Sequence, residues 1–113
     1  MSSGDLRGRV ALVTGSTQGI GFATLSALAE AGCDVMMHGL VGTAAAEIEA
    51  RRAALEARCG VRVRFSGADL ADTAAVEALF AATSGELGPV DILVNNAVTR
   101  HRAAIEDMPL SRW

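Results

Sequence analysis

Four short apolar runs, separated by longer segments of helical periodicity, constrain the fold of this chain most strongly. The runs predict strands at residues 10–13, 35–37, 61–65 and 90–94. No hairpin turn signal joins one run to the next. The alternation therefore predicts an α/β fold, a doubly wound parallel sheet with right-handed crossovers and helices on both faces. Valine and arginine alternate in the third run, which suits the edge of a sheet.

Three predicted helices lie between the strands. The first runs from about Gly19 to Gly32, with an apolar stripe at helical spacing: Ile20, Ala23, Ala27, Leu28 and Ala31. The second covers residues 44–58, with Ile48 and Leu55 inward and the pairs Glu47/Arg51 and Arg52/Glu56 on its solvent side. The third is capped by Asp72 or Thr73, and its stripe is Val76, Leu79, Phe80, Thr83 and Leu87.

Composition excludes several classes of protein. The 113 residues suit one domain, and the hydrophobic fraction of 50% with 20% charged residues is typical of globular proteins. All ten basic residues are arginine, the net charge is −3, and no basic cluster predicts nucleic-acid binding. No apolar segment has the length of a membrane span or a secretory signal. Cys33 and Cys59 are expected to be reduced thiols, and the location is expected to be cytoplasmic.

The turn after the first predicted strand has the features of a phosphate site. Gly15 permits a tight turn, Gly19 lets a ligand approach the backbone, and Gly21 lets the following helix pack closely. A helix start exposes unpaired N–H groups and a partial positive charge, so main-chain amides of residues 15–20 are expected to bind a diphosphate. The alternative is a turn that merely needs flexible residues. A P-loop is excluded because no Gly-Lys-Ser/Thr follows.

Three motifs, "TGSTQGIG" at 14–21, "ADL" at 68–70 and "NNA" at 95–97, lie in order at the ends of predicted strands. In this arrangement the chain resembles the short-chain dehydrogenase/reductase family. The resemblance implies a Rossmann-type fold with strand order 3-2-1-4. It also implies a dinucleotide cofactor held by the glycine turn, the second strand end and the two later motifs: Gly15, Ser16, Thr17, Gln18, Gly19, Ile20, Gly21, Leu40, Asp69, Leu70, Asn95, Asn96 and Ala97.

Two of these motifs have alternative roles. In the family the acid at Asp69 contacts the adenine ring, whereas its alternative is a helix cap, for which Asp72 is better placed. The asparagines either lie beside the nicotinamide ribose or tie the fourth strand to the glycine loop. Asn95 is expected to be mainly structural and Asn96 to lie nearer the cofactor.

The end of the second strand, "MMHGLVG", bears on the choice of cofactor. An acid at this point usually selects NAD and a cation selects NADP, and this chain has neither. Leu40 is expected to lie against the adenosine ribose and to leave no charge partner for a 2′-phosphate. NAD is therefore favoured, by default more than by recognition.

The catalytic residues that the resemblance implies are not present. Family members use a Tyr-x-x-x-Lys pair and a serine, but this chain has no tyrosine or lysine and reaches only Trp113. Residues 1–113 are therefore expected to be a dinucleotide-binding domain, cut before the catalytic segment or naturally short. Alone they are expected to be inactive and poorly soluble, because the fourth strand would be an exposed edge.

Within the family, the segments 42–72 and 105–113 look most like bacterial D-3-hydroxybutyrate dehydrogenases. This implies an NAD-dependent oxidation of 3-hydroxybutyrate or a related hydroxy acid, in a homo-oligomer, a tetramer by family resemblance. Arg100 replaces a glutamine that binds the substrate carboxylate, so it either grips an acid or is a solvated loop residue. Val98 stands where the family has a glycine. No metal site is predicted at His101, because no second ligand lies at a useful spacing. Pro109 is well placed to open a helix. The alternatives are an NADPH-dependent 3-oxoacyl reductase and a non-catalytic dinucleotide-binding module.

Overall fold

A computed structural model describes residues 5–97 of the chain. Its elements alternate along the chain: β1 (Val10–Val13), α1 (Gly19–Glu30), β2 (Asp34–His38), α2 (Ala45–Cys59), β3 (Val63–Ser66), α3 (Thr73–Glu86) and β4 (Ile92–Val94). The strands form one parallel sheet in the order β3-β2-β1-β4. The predicted α/β class and strand order are both confirmed.

The two sides of the sheet bury different residues of the same strands. Successive side chains of a strand point to opposite faces. In β1, Ala11 and Val13 pack in the cluster that includes Leu25 of α1 and Leu55 of α2. Val10 and Leu12 pack in the cluster that includes the α3 residue Leu79. Every residue of β1 is buried, which explains why its sequence is an unbroken apolar run.

β1 has the predicted bounds, and the bounds of the other three strands differ from the predicted ones by at most two residues. β2 continues to His38, a polar residue that is nevertheless buried. β3 begins at Val63 rather than at residue 61 and continues to Ser66. β4 begins only at Ile92. Asp91 before it accepts the N–H of Val10 with its carboxylate at 2.9 Å and donates its own N–H to the carbonyl of Val10 at 2.9 Å. Hydrophobicity alone does not report such side-chain bonds.

The apolar stripe predicted for α1 is wrong. The buried face consists of Gly21, Leu25 and Ala29, at a spacing of four residues. Ile20 is 79% exposed, and Ala23 is exposed as well. An alanine-rich helix has little contrast between its faces, so the spacing of small apolar residues does not identify the buried one.

The predictions for the other helices are largely confirmed. Ile48 and Leu55 are the buried residues of α2. Asp72 caps α3 by accepting a hydrogen bond from the N–H of Ala74 at 3.0 Å. The buried positions of this helix region are spaced by four residues: Leu79, Thr83 and Leu87. Phe80, placed in the stripe by the sequence, is instead 36% exposed.

The two cysteines are free, as predicted. Cys33 is buried and Cys59 is partly buried. Burial is the main cause that raises the pKa of both thiols above the ordinary value, which disfavours the reactive thiolate. These residues therefore act as small apolar side chains of the core.

Candidate functional site

The loop between β1 and α1 is held in its turn by two glycines with positive φ. Gly15 and Gly19 both have a φ of +61°, a conformation that residues with a side chain rarely adopt. A Cβ on Gly15 would lie 2.9 Å from the Cα of Ala97. A Cβ on Gly19 would meet nothing within 4 Å. The backbone at Gly19 is therefore open to an approaching ligand, whereas Gly15 is closely packed.

Several main-chain N–H groups of this loop have no partner in the described part of the chain. The N–H of Gly15 donates to His38 Nδ1 at 3.0 Å, and that of Ser16 donates to the carbonyl of His38 at 2.7 Å. The first helical bond runs from the N–H of Phe22 to the carbonyl of Gln18. The N–H groups of residues 17–21 lie between these and are unpaired within residues 5–97. A diphosphate can therefore meet amides from Thr17 onward, but not the first two of the expected set, which are already bonded.

Gly21 brings the start of α1 against the loop. A Cβ at this position would lie 2.0 Å from the carbonyl oxygen of Gly15 and 2.6 Å from Nδ2 of Asn96. No side chain fits in this space. The first turn of α1 is therefore in direct contact with the backbone of the glycine loop.

The end of β4 is bonded to the same loop through Asn96. Its side-chain Nδ2 donates to the carbonyl of Gly15 at 3.0 Å, and its N–H donates to Thr14 Oγ1 at 3.0 Å. The N–H of Ala97 donates to the same hydroxyl at 3.1 Å. The side-chain tie expected of Asn95 is thus made by Asn96, because successive residues point to opposite sides. Asn95 is exposed.

Two further residues of the glycine turn, Ser16 and Ile20, differ strongly in their exposure. Ser16 is fully buried, donates its hydroxyl to the carbonyl of Val13 at 2.7 Å and accepts the N–H of His38 at 3.0 Å. It therefore supports the loop from inside and does not face a ligand. Ile20 is largely exposed at the start of α1.

An open cleft of about 620 Å³ lies across the carboxyl ends of the strands. Ligands of open α/β sheets bind at this edge, where the strand order reverses. Eight of the predicted cofactor residues line the cleft: Gly15, Thr17, Gln18, Leu40, Asp69, Leu70, Asn96 and Ala97. The lining does not include five others: Ser16, Gly19, Ile20, Gly21 and Asn95.

Asp69 presents its carboxylate at the rim of the cleft after β3. Its Oδ1 accepts the N–H of Ala71 at 3.0 Å, and its carbonyl accepts the N–H of Asp72 at 3.0 Å. Since Asp72 caps α3, Asp69 is not the helix cap. An acceptor at this position suits an amino group on a planar ring.

His38 is a residue of this site that the sequence analysis did not identify. It lines the cleft, yet it is only 3% exposed. Its Nδ1 accepts from Gly15, and its Nε2 lies 2.8 Å from the carbonyl of Ala68. A polar residue that ends an apolar strand was the available signal.

Arg51 is the second missed residue. From α2 it donates to the carbonyl of Thr17, and its guanidinium lies 5.9 Å from the centre of the Phe22 ring. The described residues contain no ion pair between Arg51 and Glu47, although the predicted pair of Arg52 and Glu56 is present at 3.5 Å. Helix α2 thus places one guanidinium beside the glycine loop.

Four residues discussed from the sequence come after the described part of the chain. Val98, Arg100, His101 and Pro109 all lie outside the described residues. Within residues 5–97, no three His, Cys, Asp or Glu side chains are grouped to hold a metal ion. The helices in that same range are all too short or too polar to cross a membrane.

Comparison with known proteins assigns the family. A family model that describes short chain dehydrogenases matches residues 9–113, which is nearly the whole chain. The chain belongs to the short-chain dehydrogenase family. The matched residues of this family member include all four strands and the glycine loop.

Individual relatives and solved structures of this family are 36% to 43% identical to the chain. D-beta-hydroxybutyrate dehydrogenase of Cupriavidus necator is 43% identical over 108 residues, which cover 96% of this chain and 40% of that protein. A blue fluorescent protein from a metagenomic library, solved with NADPH, has a TM-score of 0.86 and 36% identity over 96% of this chain and 43% of its own. A short chain dehydrogenase from Burkholderia cenocepacia J2315, solved with NADP, has a TM-score of 0.82, 36% identity and the same coverage. The chain thus spans about 40% of the length of these three proteins.

Proposed function

We propose that this chain is the cofactor-binding part of a dehydrogenase that oxidises a hydroxy acid with a nicotinamide dinucleotide. The observation that carries the proposal is the row of N–H groups at residues 17–21 that have no partner among the described residues, beside a cleft at the carboxyl ends of the strands. Such a row is suited to two adjacent phosphates because donors and the helix dipole point the same way. Family membership supports the reaction class.

The residues of the cleft fit a dinucleotide in an extended form. The open space at Gly19 is where a phosphate could approach the backbone. The Asp69 carboxylate on the β3 side is the proposed partner of the adenine amino group. Asn96 and Ala97, on the β4 side, are proposed to line the nicotinamide end. The nicotinamide ring, when bound, supplies the hydride acceptor, and the residues on this chain hold and orient it.

NAD is the proposed coenzyme. Leu40, at the end of β2, is 69% exposed and lines the cleft with Gly39 and Thr17. None of these three side chains can neutralise a 2′-phosphate. The apolar leucine instead suits the uncharged face of an adenosine ribose. This preference rests on the lack of a cationic side chain in the described cleft lining and not on a hydrogen bond to the ribose.

An NADPH-dependent reductase is the second candidate, because Arg51 lies beside the loop. Its guanidinium donates a hydrogen bond to the carbonyl of Thr17. The side chain of Thr17 packs on Gly39, where an added Cβ would lie 2.6 Å from Thr17 Cγ2. Because Gly39 directly precedes Leu40, the residue proposed to lie against the ribose, this guanidinium can attract a 2′-phosphate there. The two solved neighbours with NADPH and NADP are consistent with this candidate.

The proposed substrate is 3-hydroxybutyrate or a related hydroxy acid. The support is the resemblance to the Cupriavidus enzyme, 43% identical in the shared part. Arg100 is proposed to bind the substrate carboxylate through a bidentate pair. A soluble cytoplasmic homo-oligomer, a tetramer as the family resemblance implies, is proposed for the intact protein. A non-catalytic dinucleotide-binding module is the alternative for the 113-residue chain alone.

Titration of the intact protein with NAD and NADP, followed by assays with 3-hydroxybutyrate, tests these proposals. Tighter binding of NAD and reduction of NAD by 3-hydroxybutyrate are expected. Binding without turnover of any hydroxy acid would favour the non-catalytic module. Failure to bind either dinucleotide would contradict the proposed function as a whole. The 113-residue polypeptide alone is expected to aggregate and to show no oxidation.

A further inference from the structure

The imidazole of His38 connects two loops that lie on either side of β2. In the sheet, β2 has β1 as one neighbour and β3 as the other. Gly15 belongs to the loop after β1, and Ala68 belongs to the loop after β3. The ring accepts a hydrogen bond from the first at 3.0 Å and contacts the carbonyl of the second at 2.8 Å. It therefore spans the carboxyl edge of three adjacent strands.

These two contacts require one form of the ring. A carbonyl can only accept, so Nε2 must carry the proton that it donates to Ala68. A main-chain N–H can only donate, so Nδ1 must be unprotonated to accept from Gly15. The geometry thus defines the neutral Nε2–H tautomer of His38, with both ring nitrogens paired. At 3% exposure, water cannot readily replace either partner.

The His38 ring, unlike the His38 backbone, links the glycine loop to the loop after β3. The N–H and carbonyl of His38 already bond to Ser16, at 3.0 and 2.7 Å, so the β1 loop stays attached to β2 without the imidazole. Within residues 5–97, the ring is the one group that hydrogen-bonds to both Gly15 and Ala68. Ala68 is followed directly by Asp69 and Leu70, which line the cleft. The imidazole thus fixes the distance between the glycine loop and the loop proposed to hold adenine.

We propose that His38 is a positioning residue for the adenosine end of the dinucleotide, setting the width of the cleft between Gly15 and Ala68. This proposal rests on the proposed dinucleotide function. His38 does not touch the reacting atoms in this assignment; it acts through the two main-chain groups that it pairs. Its removal should weaken dinucleotide binding more than it impairs turnover at saturating dinucleotide.

Two substitutions at His38 and one control separate this role from general stability. His38→Leu keeps bulk but leaves Gly15 and Ala68 unpaired, and it should raise the Kd of the dinucleotide roughly tenfold or more. His38→Gln carries an acceptor and a donor on one amide, and it should recover most of that loss. Met37→Ala removes a core side chain one residue earlier in β2, outside the cleft lining, and should lower the Tm without a comparable change in Kd.

The measurements are Kd by titration calorimetry, kcat and KM for the dinucleotide, and Tm for each variant of the intact protein. A Kd for His38→Leu equal to that of the wild type would overturn the proposal and leave the proposed function standing. Equal losses in His38→Leu and His38→Gln would also overturn it, because paired hydrogen bonding would not be the cause. A wild-type protein that binds no dinucleotide would instead remove the proposed function, and this inference with it.

A spectroscopic measurement on the unmodified protein keeps the proposal testable if His38→Leu does not fold. Correlation spectra of the ring in ¹⁵N-labelled protein at neutral pH distinguish the two neutral tautomers and the charged form. The Nε2–H tautomer is expected for His38. An Nδ1–H tautomer or a charged ring would contradict the bridge between Gly15 and Ala68.

Discussion

The side-chain amide of Asn96 donates a hydrogen bond of 3.0 Å to the carbonyl of Gly15, across a separation of 81 residues in the chain. A Cβ added to Gly21 would lie only 2.6 Å from the same Nδ2 atom. The glycine loop, the start of α1 and the end of β4 therefore meet at one point. The N–H groups proposed to bind phosphate depend on this junction for their direction.

Asn96→Ala should weaken both the fold and dinucleotide binding. Loss of the bond to the Gly15 carbonyl is expected to reduce the free energy of unfolding by about 1 kcal/mol and to raise the dinucleotide Kd severalfold. Urea denaturation and titration calorimetry measure the two effects. Asn95→Ala is the matched control: its side chain is exposed, so its stability should change by less than about 0.5 kcal/mol. Equal effects of the two substitutions would contradict the role of the junction.

Gly19→Val should abolish dinucleotide binding in the intact protein. A valine there would occupy the open space proposed for the diphosphate and would also strain a backbone with φ of +61°. Gly60→Val is the control, because Gly60 has a φ of +68° in open space at the end of α2. Both variants should lose about 1–3 kcal/mol of stability, but only Gly19→Val should lose binding. Retained affinity in Gly19→Val would disprove the phosphate contact.

Arg51→Gln should affect NADP more than NAD. Its guanidinium is the cation held beside Thr17, so its loss is expected to raise the Kd for NADP about tenfold and to leave that for NAD within roughly twofold. Arg58→Gln, on the exposed side of the same helix and paired with Glu30, provides the control. The competing outcome is an equal loss for both coenzymes, which would mean that Arg51 only supports the loop.

Glu56 forms ion pairs with Arg52 and Arg64. These pairs should make the free energy of unfolding depend on pH. The N–H of Val63, followed by the guanidinium of Arg64, lowers the pKa of Glu56 below its ordinary value of 4.5. A carboxyl group with a lowered folded pKa contributes its stability above the ordinary value and loses it as the pH falls through the folded pKa. Glu56→Gln should therefore cost about 1 kcal/mol or less near pH 7, and the difference should vanish as the pH falls below 4.5.

Urea denaturation measures this difference when wild type and Glu56→Gln are compared from about pH 3 to about pH 7, the range in which carboxyl groups titrate. Glu77→Gln, an exposed acid on α3, is the reference substitution. A constant difference between wild type and Glu56→Gln at every pH would show that the carboxylate charge contributes nothing.

Local chemistry in the sequence was sufficient to predict the architecture. Unbroken apolar runs such as β1 indicate strands buried on both faces, and the lack of hairpin turns forces parallel crossovers. Three glycines mark the loop and the start of α1, because only glycine permits the positive φ at Gly15 and Gly19 and the close approach at Gly21. Asp72 was recognised as a helix cap for a reason equally local, the bond between its carboxylate and a nearby N–H.

The composition of the site was decided by contacts between residues far apart in the chain. Spacing in α1 favoured Ile20, but packing against the sheet selected Leu25, because alanines on several faces make the helix pattern ambiguous. His38 and Arg51 reach the glycine loop from β2 and α2, and nothing in their immediate neighbours predicts a partner 23 or 34 residues away. The sequence by itself determined which elements form and where the phosphate loop lies, since both follow from backbone conformation and hydrophobic burial. Only the tertiary structure decided which side chains surround that loop, because side-chain hydrogen bonds depend on which strands and helices are brought together.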